Sequence, residues 1–169
     1  MTIYLDGNDT VHARTHKPPN RAGIVRAAKA VYDYRKATGR VHYTQSPSRM
    51  TIVRHKLRPP FHEILFEDCS SYATACYWLA GFPDPNGLGY NGQGYTGTLA
   101  RHGRVVTLAQ SKIGNLVFYG QGPPWHNVAI ISDASGSRHV YSHGHEGGPR
   151  LVQIDYRSDR GEIRAYVSP

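Results

Sequence analysis

Cysteine is scarce in this sequence: 169 residues contain two, Cys69 and Cys76. Seven positions apart, they make neither a C-x-x-C redox pair nor a four-cysteine zinc site, and they exclude a disulfide-dense scaffold. Long apolar runs are also missing, so no transmembrane helix is expected. The opening Met1-Thr2-Ile3-Tyr4-Leu5-Asp6 lacks a basic stretch followed by an apolar one, so no signal peptide of the Sec type is expected. Acidic residues are nearly absent from the first 60 positions, with 3 against 12 lysines and arginines, a net charge of +9. Residues 61–169 carry 9 acidic and 8 basic side chains, a net −1. The sequence as a whole is 39% hydrophobic, enough for one folded domain without staples.

The pattern predicts helices first and a sheet later. Residues 1–20 are polar, carry Pro18-Pro19, and read as an N-terminal arm ahead of a single domain over 21–169. A helix follows, with Asn20 as N-cap, Ile24, Ala28, Val31 and Arg35 in a 3.6-residue period, and Gly39 as its stop. Residues 41–62 read as an irregular connection. A second helix begins at Asp68, whose carboxylate can accept a first-turn N–H. Tyr72, Ala73, Cys76, Leu79 and Ala80 form its buried stripe, and Gly81 and Pro83 end it. Residues 81–98 are glycine-rich but lack the Lys-Ser or Lys-Thr of a phosphate loop. Six strands are predicted after that: 104–109, 115–119, 127–132, 139–143, 150–154 and 162–167, separated by Asp and Gly turn signals. Helices followed by a mainly antiparallel sheet make an α+β fold.

The chemistry centres on Glu67-Asp68-Cys69-Ser70-Ser71-Tyr72. Cys69 falls in the first turn of the second helix, where free N–H groups and the positive helix end favour a thiolate, the nucleophile that amide hydrolysis needs. Cys76, two turns on, reads as packing. A base is required, and His126, at the mouth of the strand 127–132, can face a cleft. A hairpin to the next strand would bring His139, His143 or His145 alongside to hold the imidazole tautomer.

These residues resemble the NlpC/P60 family of papain-like cysteine peptidases, in the form found in bacteriophage lysins. The resemblance is carried by Asp68-Cys69-Ser70-Ser71, by Gly114-Asn115-Leu116-Val117-Phe118-Tyr119, by His126-Asn127-Val128-Ala129-Ile130-Ile131 and by Val140-Tyr141-Ser142-His143-Gly144. His42-Tyr43-Thr44 resembles the Pro-Tyr piece that precedes the nucleophile. The ordered set spans roughly residues 22–155. Ser71 and Asn115 depart from the glycine and aspartate of the family pattern. One residue is extra between His126 and Val128-Ala129, so strict alignment would put Asn127 in the place of the base. A β-bulge presenting His126 is the preferred reading. Ser142 and His143 both fit the position of the orienting group, and His143 is favoured.

The resemblance implies a peptidoglycan endopeptidase without a cofactor or metal. Cys69 would attack an amide of the stem peptide, His126 would act as base with His143 orienting it, and Tyr43 with the Cys69 N–H would stabilise the oxyanion. Asp68 and Ser70 would contact the stem peptide. The same nucleophile also suits an N-acetylmuramoyl-L-alanine amidase, and the fold suits a phage virion or tail component that binds the wall or other virion proteins. The expected location is the host cytoplasm and then the cell wall, or the virion. The basic first 60 residues suit adhesion to anionic wall polymers. His143-Gly144-His145 alone does not make a zinc peptidase site, and nothing but charge points to nucleic acid.

Overall fold

The computed structural model describes residues 3–5, 11–13, 18–133, 135, 138–144 and 147–166. Two short antiparallel strands, β1 (Ile3–Leu5) and β2 (Val11–Ala13), pair within the segment read as an arm. Helix α1 spans Arg21–Thr38. Its bounds follow from local chemistry. The Asn20 side chain accepts the Gly23 N–H at 3.0 Å, and Gly39 closes the other end at φ 70° with its N–H on the Arg35 carbonyl.

The stretch read as irregular carries regular structure. Strand β3 (Val41–Tyr43) runs parallel to β4 (Leu65–Glu67), with Tyr43 in register with Glu67, and a short helix α2 (Thr51–Arg54) lies between them. Strands of three residues whose partner lies some twenty residues away leave little periodicity to read. This pair brings Tyr43 to the start of helix α3 (Cys69–Leu79).

In α3, Cys69 through Tyr77 are all buried, and Leu79 and Ala80 are only half-buried. The helix is therefore enclosed on every side along its first two turns, not buried along one stripe. A second short helix, α4 (Thr96–Leu99), closes the glycine-rich loop.

The six strands β5 (Arg104–Val106), β6 (Leu116–Tyr119), β7 (Asn127–Ile131), β8 (His139–Ser142), β9 (Arg150–Gln153) and β10 (Arg160–Ala165) form one antiparallel sheet in the order β5-β10-β6-β7-β8-β9. The fold is α+β, with helices on one face of the sheet. Leu116, Phe118, Val128, Ile130 and Tyr141 pack against Ile24, Ala28, Val31, Tyr72, Ala73 and Cys76. On the other face Val117, Tyr119, Ala129, Ile131, Val140 and Ile163 form a second cluster. Burial of both faces explains why β6 and β7 read as unbroken apolar runs. Among the described residues no helix is long and apolar enough to cross a membrane.

Candidate active site

The Asp68 carboxylate accepts the Ser71 N–H at 2.7 Å and the Ser70 hydroxyl at 2.8 Å, and Arg49 approaches it at 3.6 Å. The Ser71 hydroxyl accepts the Asp68 N–H in return. This reciprocal cap fixes the first turn of α3 and with it Cys69. The Ser70 hydroxyl is thus engaged within the turn.

Cys69 is 6% exposed. Its thiol lies 3.8 Å from the Thr96 hydroxyl, and the N–H groups of Val128 and Ser70 also act on it. Burial, helped by the Asp68 charge, pushes the thiol up to about 11. Three donors around the sulfur are arranged to receive a thiolate, but at neutral pH the group is a thiol and needs a base. Cys76 is a fully buried free thiol inside the main core, as a packing role requires.

His143 follows β8 on the face turned toward the helices. It is fully buried, edge-on to the rings of Tyr43 and Tyr72, each 5.8 Å away between centroids. Among the described residues neither ring nitrogen has a close, well-aligned hydrogen-bond partner; a looser backbone interaction with Gly144 and the charge of Asp68 both favour the protonated ring. Burial lowers its pKa to about 4, so the imidazole is neutral near pH 7. A step beyond the Ala129–Ser142 pair, the antiparallel register sets Val128 opposite His143. Val128 thus borders both the sulfur, through its N–H, and the imidazole.

His126 is exposed. Its N–H donates to the Tyr119 carbonyl at 2.9 Å while Asn127 also pairs with Tyr119, so two residues stand against one as in a β-bulge. The charge of the His126 ring is felt by Asp159, and no hydrogen bond joins it to Cys69 or His143 among the described residues. Asn127 points to the far face of the sheet, where its amide donates to the Tyr156 hydroxyl at 2.7 Å and the Ser142 hydroxyl at 3.3 Å. Ser142 lies on that face as well. His139 pairs with Asp133 at 3.0 Å, and His145 lies outside the described residues. The structure therefore gathers Cys69, Asp68, Ser70, Tyr43 and His143 around the start of α3 and leaves His126 exposed outside that group. No group of three metal-ligating side chains occurs among the described residues.

Glu67 escapes sequence reasoning. It is fully buried beside the cap, accepts the Ile52 N–H at 3.0 Å and bonds with the Ser71 hydroxyl. Burial raises its carboxyl to about 7. Its place next to Asp68 is visible in the sequence; its enclosure depends on α2, which is not.

No protein-family model and no curated protein matches the sequence. Solved structures do. The NlpC/p60 domain of the peptidoglycan hydrolase SagA superposes with a TM-score of 0.55 at 19% identity, over 86% of this chain and 98% of that one. The chain adopts the NlpC/P60 fold. RipD from Mycobacterium tuberculosis, a non-catalytic NlpC/p60 domain protein adapted to peptidoglycan binding, matches with a TM-score of 0.53 at 15% identity, over 83% of this chain and 98% of that one. The P60 domain of an antigen from M. avium paratuberculosis matches at 0.51 and 16%, over 86% and 96%. The NlpC/P60 scaffold thus occurs in both catalytic and non-catalytic proteins.

Proposed function

We propose that this protein is a cysteine hydrolase that cleaves an amide bond in the stem peptides of peptidoglycan. The observation that carries the reading is a capped helix start, on the NlpC/P60 fold, that presents Cys69 among three hydrogen-bond donors, with a buried neutral imidazole across Val128. His143 is the better supported base: it is enclosed with Tyr43 and Tyr72, and neither ring nitrogen has a well-aligned side-chain partner among the described residues. His126, the base expected from the sequence, lies in solvent.

In this reading His143 takes the Cys69 proton when substrate closes the gap, since catalytic hydrogen bonds often tighten only in the complex. The thiolate adds to the amide carbonyl. The Cys69 N–H and the Tyr43 hydroxyl receive the oxyanion. The imidazolium then protonates the leaving amine, and water, deprotonated by His143, hydrolyses the thioester. Asp68 favours the imidazolium by its charge.

Digestion of purified peptidoglycan, with mass spectrometry of the fragments, tests the proposal. New amine and carboxyl ends within the stem peptide are expected from the wild type and from His126→Ala, and none from Cys69→Ala or His143→Ala. An intact wall that nevertheless pulls down the wild-type protein would make it a binding module instead. RipD supplies the precedent for that outcome on this fold.

A further inference from the structure

A cavity of about 330 Å³ opens between the end of α1 and β3, lined by Arg35, Lys36, Val41, His42, Tyr43 and Gly147. Its lining holds two permanent cations and a histidine, and no carboxylate among the described residues. Cations in the last turn of a helix ordinarily serve that helix's own carbonyls. Arg35 does something else. Its Nε and Nη2 donate to the Gly147 carbonyl at 3.1 and 2.8 Å, across 112 residues of sequence. The loop reaches it on bare backbone: a Cβ on Gly148, which sits at φ 115°, would come within 3.0 Å of the Arg35 side chain. The guanidinium is therefore held by two bonds, neither of which uses Nη1 among the described residues, and a fixed cation loses less freedom on binding than a mobile one.

The cavity and the candidate site share Tyr43, which lines the cavity and also lies against His143, and the Arg35 charge is felt by the His143 ring. We infer that this cavity is a carboxylate subsite, in which Arg35, assisted by Lys36 and His42, holds a free carboxylate of the peptide being cut. The inference rests on the proposed hydrolase reading. A carboxylate there would set a neighbouring amide of the same peptide beside Tyr43 and His143. Specificity would then come from an unpaired Arg35 whenever the substrate carboxylate is replaced by a carboxamide.

Calorimetric titration of the full-length Cys69→Ala protein tests this without turnover. The probes are the tripeptide L-Ala-γ-D-Glu-L-Lys, the same peptide with its carboxylates amidated, and sn-glycerol 3-phosphate. The free acid is expected to bind about tenfold or more tighter than the amide, the usual scale of a charge-assisted hydrogen bond. Arg35→Gln should remove that preference, and Lys36→Gln, at an exposed position that does not endanger folding, should reduce it. Equal binding of acid and amide, an unchanged preference in both variants, or tighter binding of the phosphate would each overturn the carboxylate subsite. If the acid is preferred while wild-type protein leaves peptidoglycan uncut, the subsite stands and the hydrolase reading falls. If the wall is cut without any acid preference, the hydrolase stands and the subsite falls.

Discussion

Asp68 and Ser71 cap α3 reciprocally, each side chain bonding the other's backbone N–H at 2.7 Å. The Ser71 hydroxyl also serves Glu67 and is buried. Ser71→Ala leaves the buried Asp68 N–H without its partner and takes one bond from Glu67, at a cost of about 1–3 kcal/mol. Urea unfolding followed by circular dichroism should show a lower midpoint with an unchanged slope. A shift of a few tenths of a kcal/mol would mean that the cap holds without its second half.

Two buried groups near the site oppose each other in pH dependence. Glu67 is raised from 4.5 to about 7, chiefly by burial, so the folded state binds its proton more tightly. Its contribution is fully present below pH 4.5 and is lost as pH rises to about 7. His143 is lowered from 6.5 to about 4, again by burial, so the folded state resists protonation and stability falls as pH drops from 6.5 toward 4. Each separation corresponds to about 3 kcal/mol. Stability of the wild type should therefore be nearly flat between pH 4.5 and 6.5. Glu67→Gln should expose a rise with pH across that window, and His143→Gln a fall. Parallel profiles for all three proteins would contradict both assignments.

The choice of base has its own kinetic signature. With His143 as base, kcat/KM on a soluble stem peptide should stay high down to about pH 4, where the imidazole takes up its proton. An acid limb well above pH 4 that disappears in His126→Ala would return the role to His126.

Alkylation reads the thiol directly. With Cys69 raised from 9 to about 11, its thiolate population near neutral pH is about 100-fold below that of an ordinary thiol. Iodoacetamide should label the unliganded protein slowly, at a rate that climbs steadily up to about pH 11. Rapid labelling at pH 7 would place the resting site in a thiolate form.

Trp125 offers a test away from the chemistry. A Cβ on Gly161 would lie 2.1 Å from the Trp125 ring, which packs against Phe118 at 6.1 Å between centroids. Gly161→Ala should displace the indole and lower stability by about 1–3 kcal/mol. A shift in tryptophan emission together with a lower melting temperature is the expected pair of readings.

Helix α1 was legible to the residue because Asn20 and Gly39 act through local bonds that sequence spacing reveals. The six strands were legible in number and position along the chain, within a few residues at their ends, because turn residues bound each of them and the central ones are apolar runs; their order in the sheet was not. The β3–β4 pair and α4 were not, since three- and four-residue elements owe their form to distant packing. At the site, the helix start at Asp68-Cys69 was legible from capping alone. The histidine was harder. A bulge at His126–Asn127 shifts the alternation by one, so spacing alone does not say which of the two residues turns inward. The spacing of β8 offered both Ser142 and His143, which alternation puts on opposite faces, and only the register shows which face each takes, Ser142 with Asn127 and His143 with Tyr72.

The Asp68 carboxylate raises the proton affinity of the thiol and of the imidazole together. A cation that settles on it, whether Arg49 drawn closer or an ammonium group carried in by a ligand, lowers both together. The gap between donor and acceptor, which sets how far uphill the proton must climb, is then far less sensitive to that charge than either affinity alone. The direction of transfer is insulated from charges that act through Asp68, though not from the Arg35 charge, which acts on the imidazole alone, while the total number of protons held at the helix start is left free to follow both.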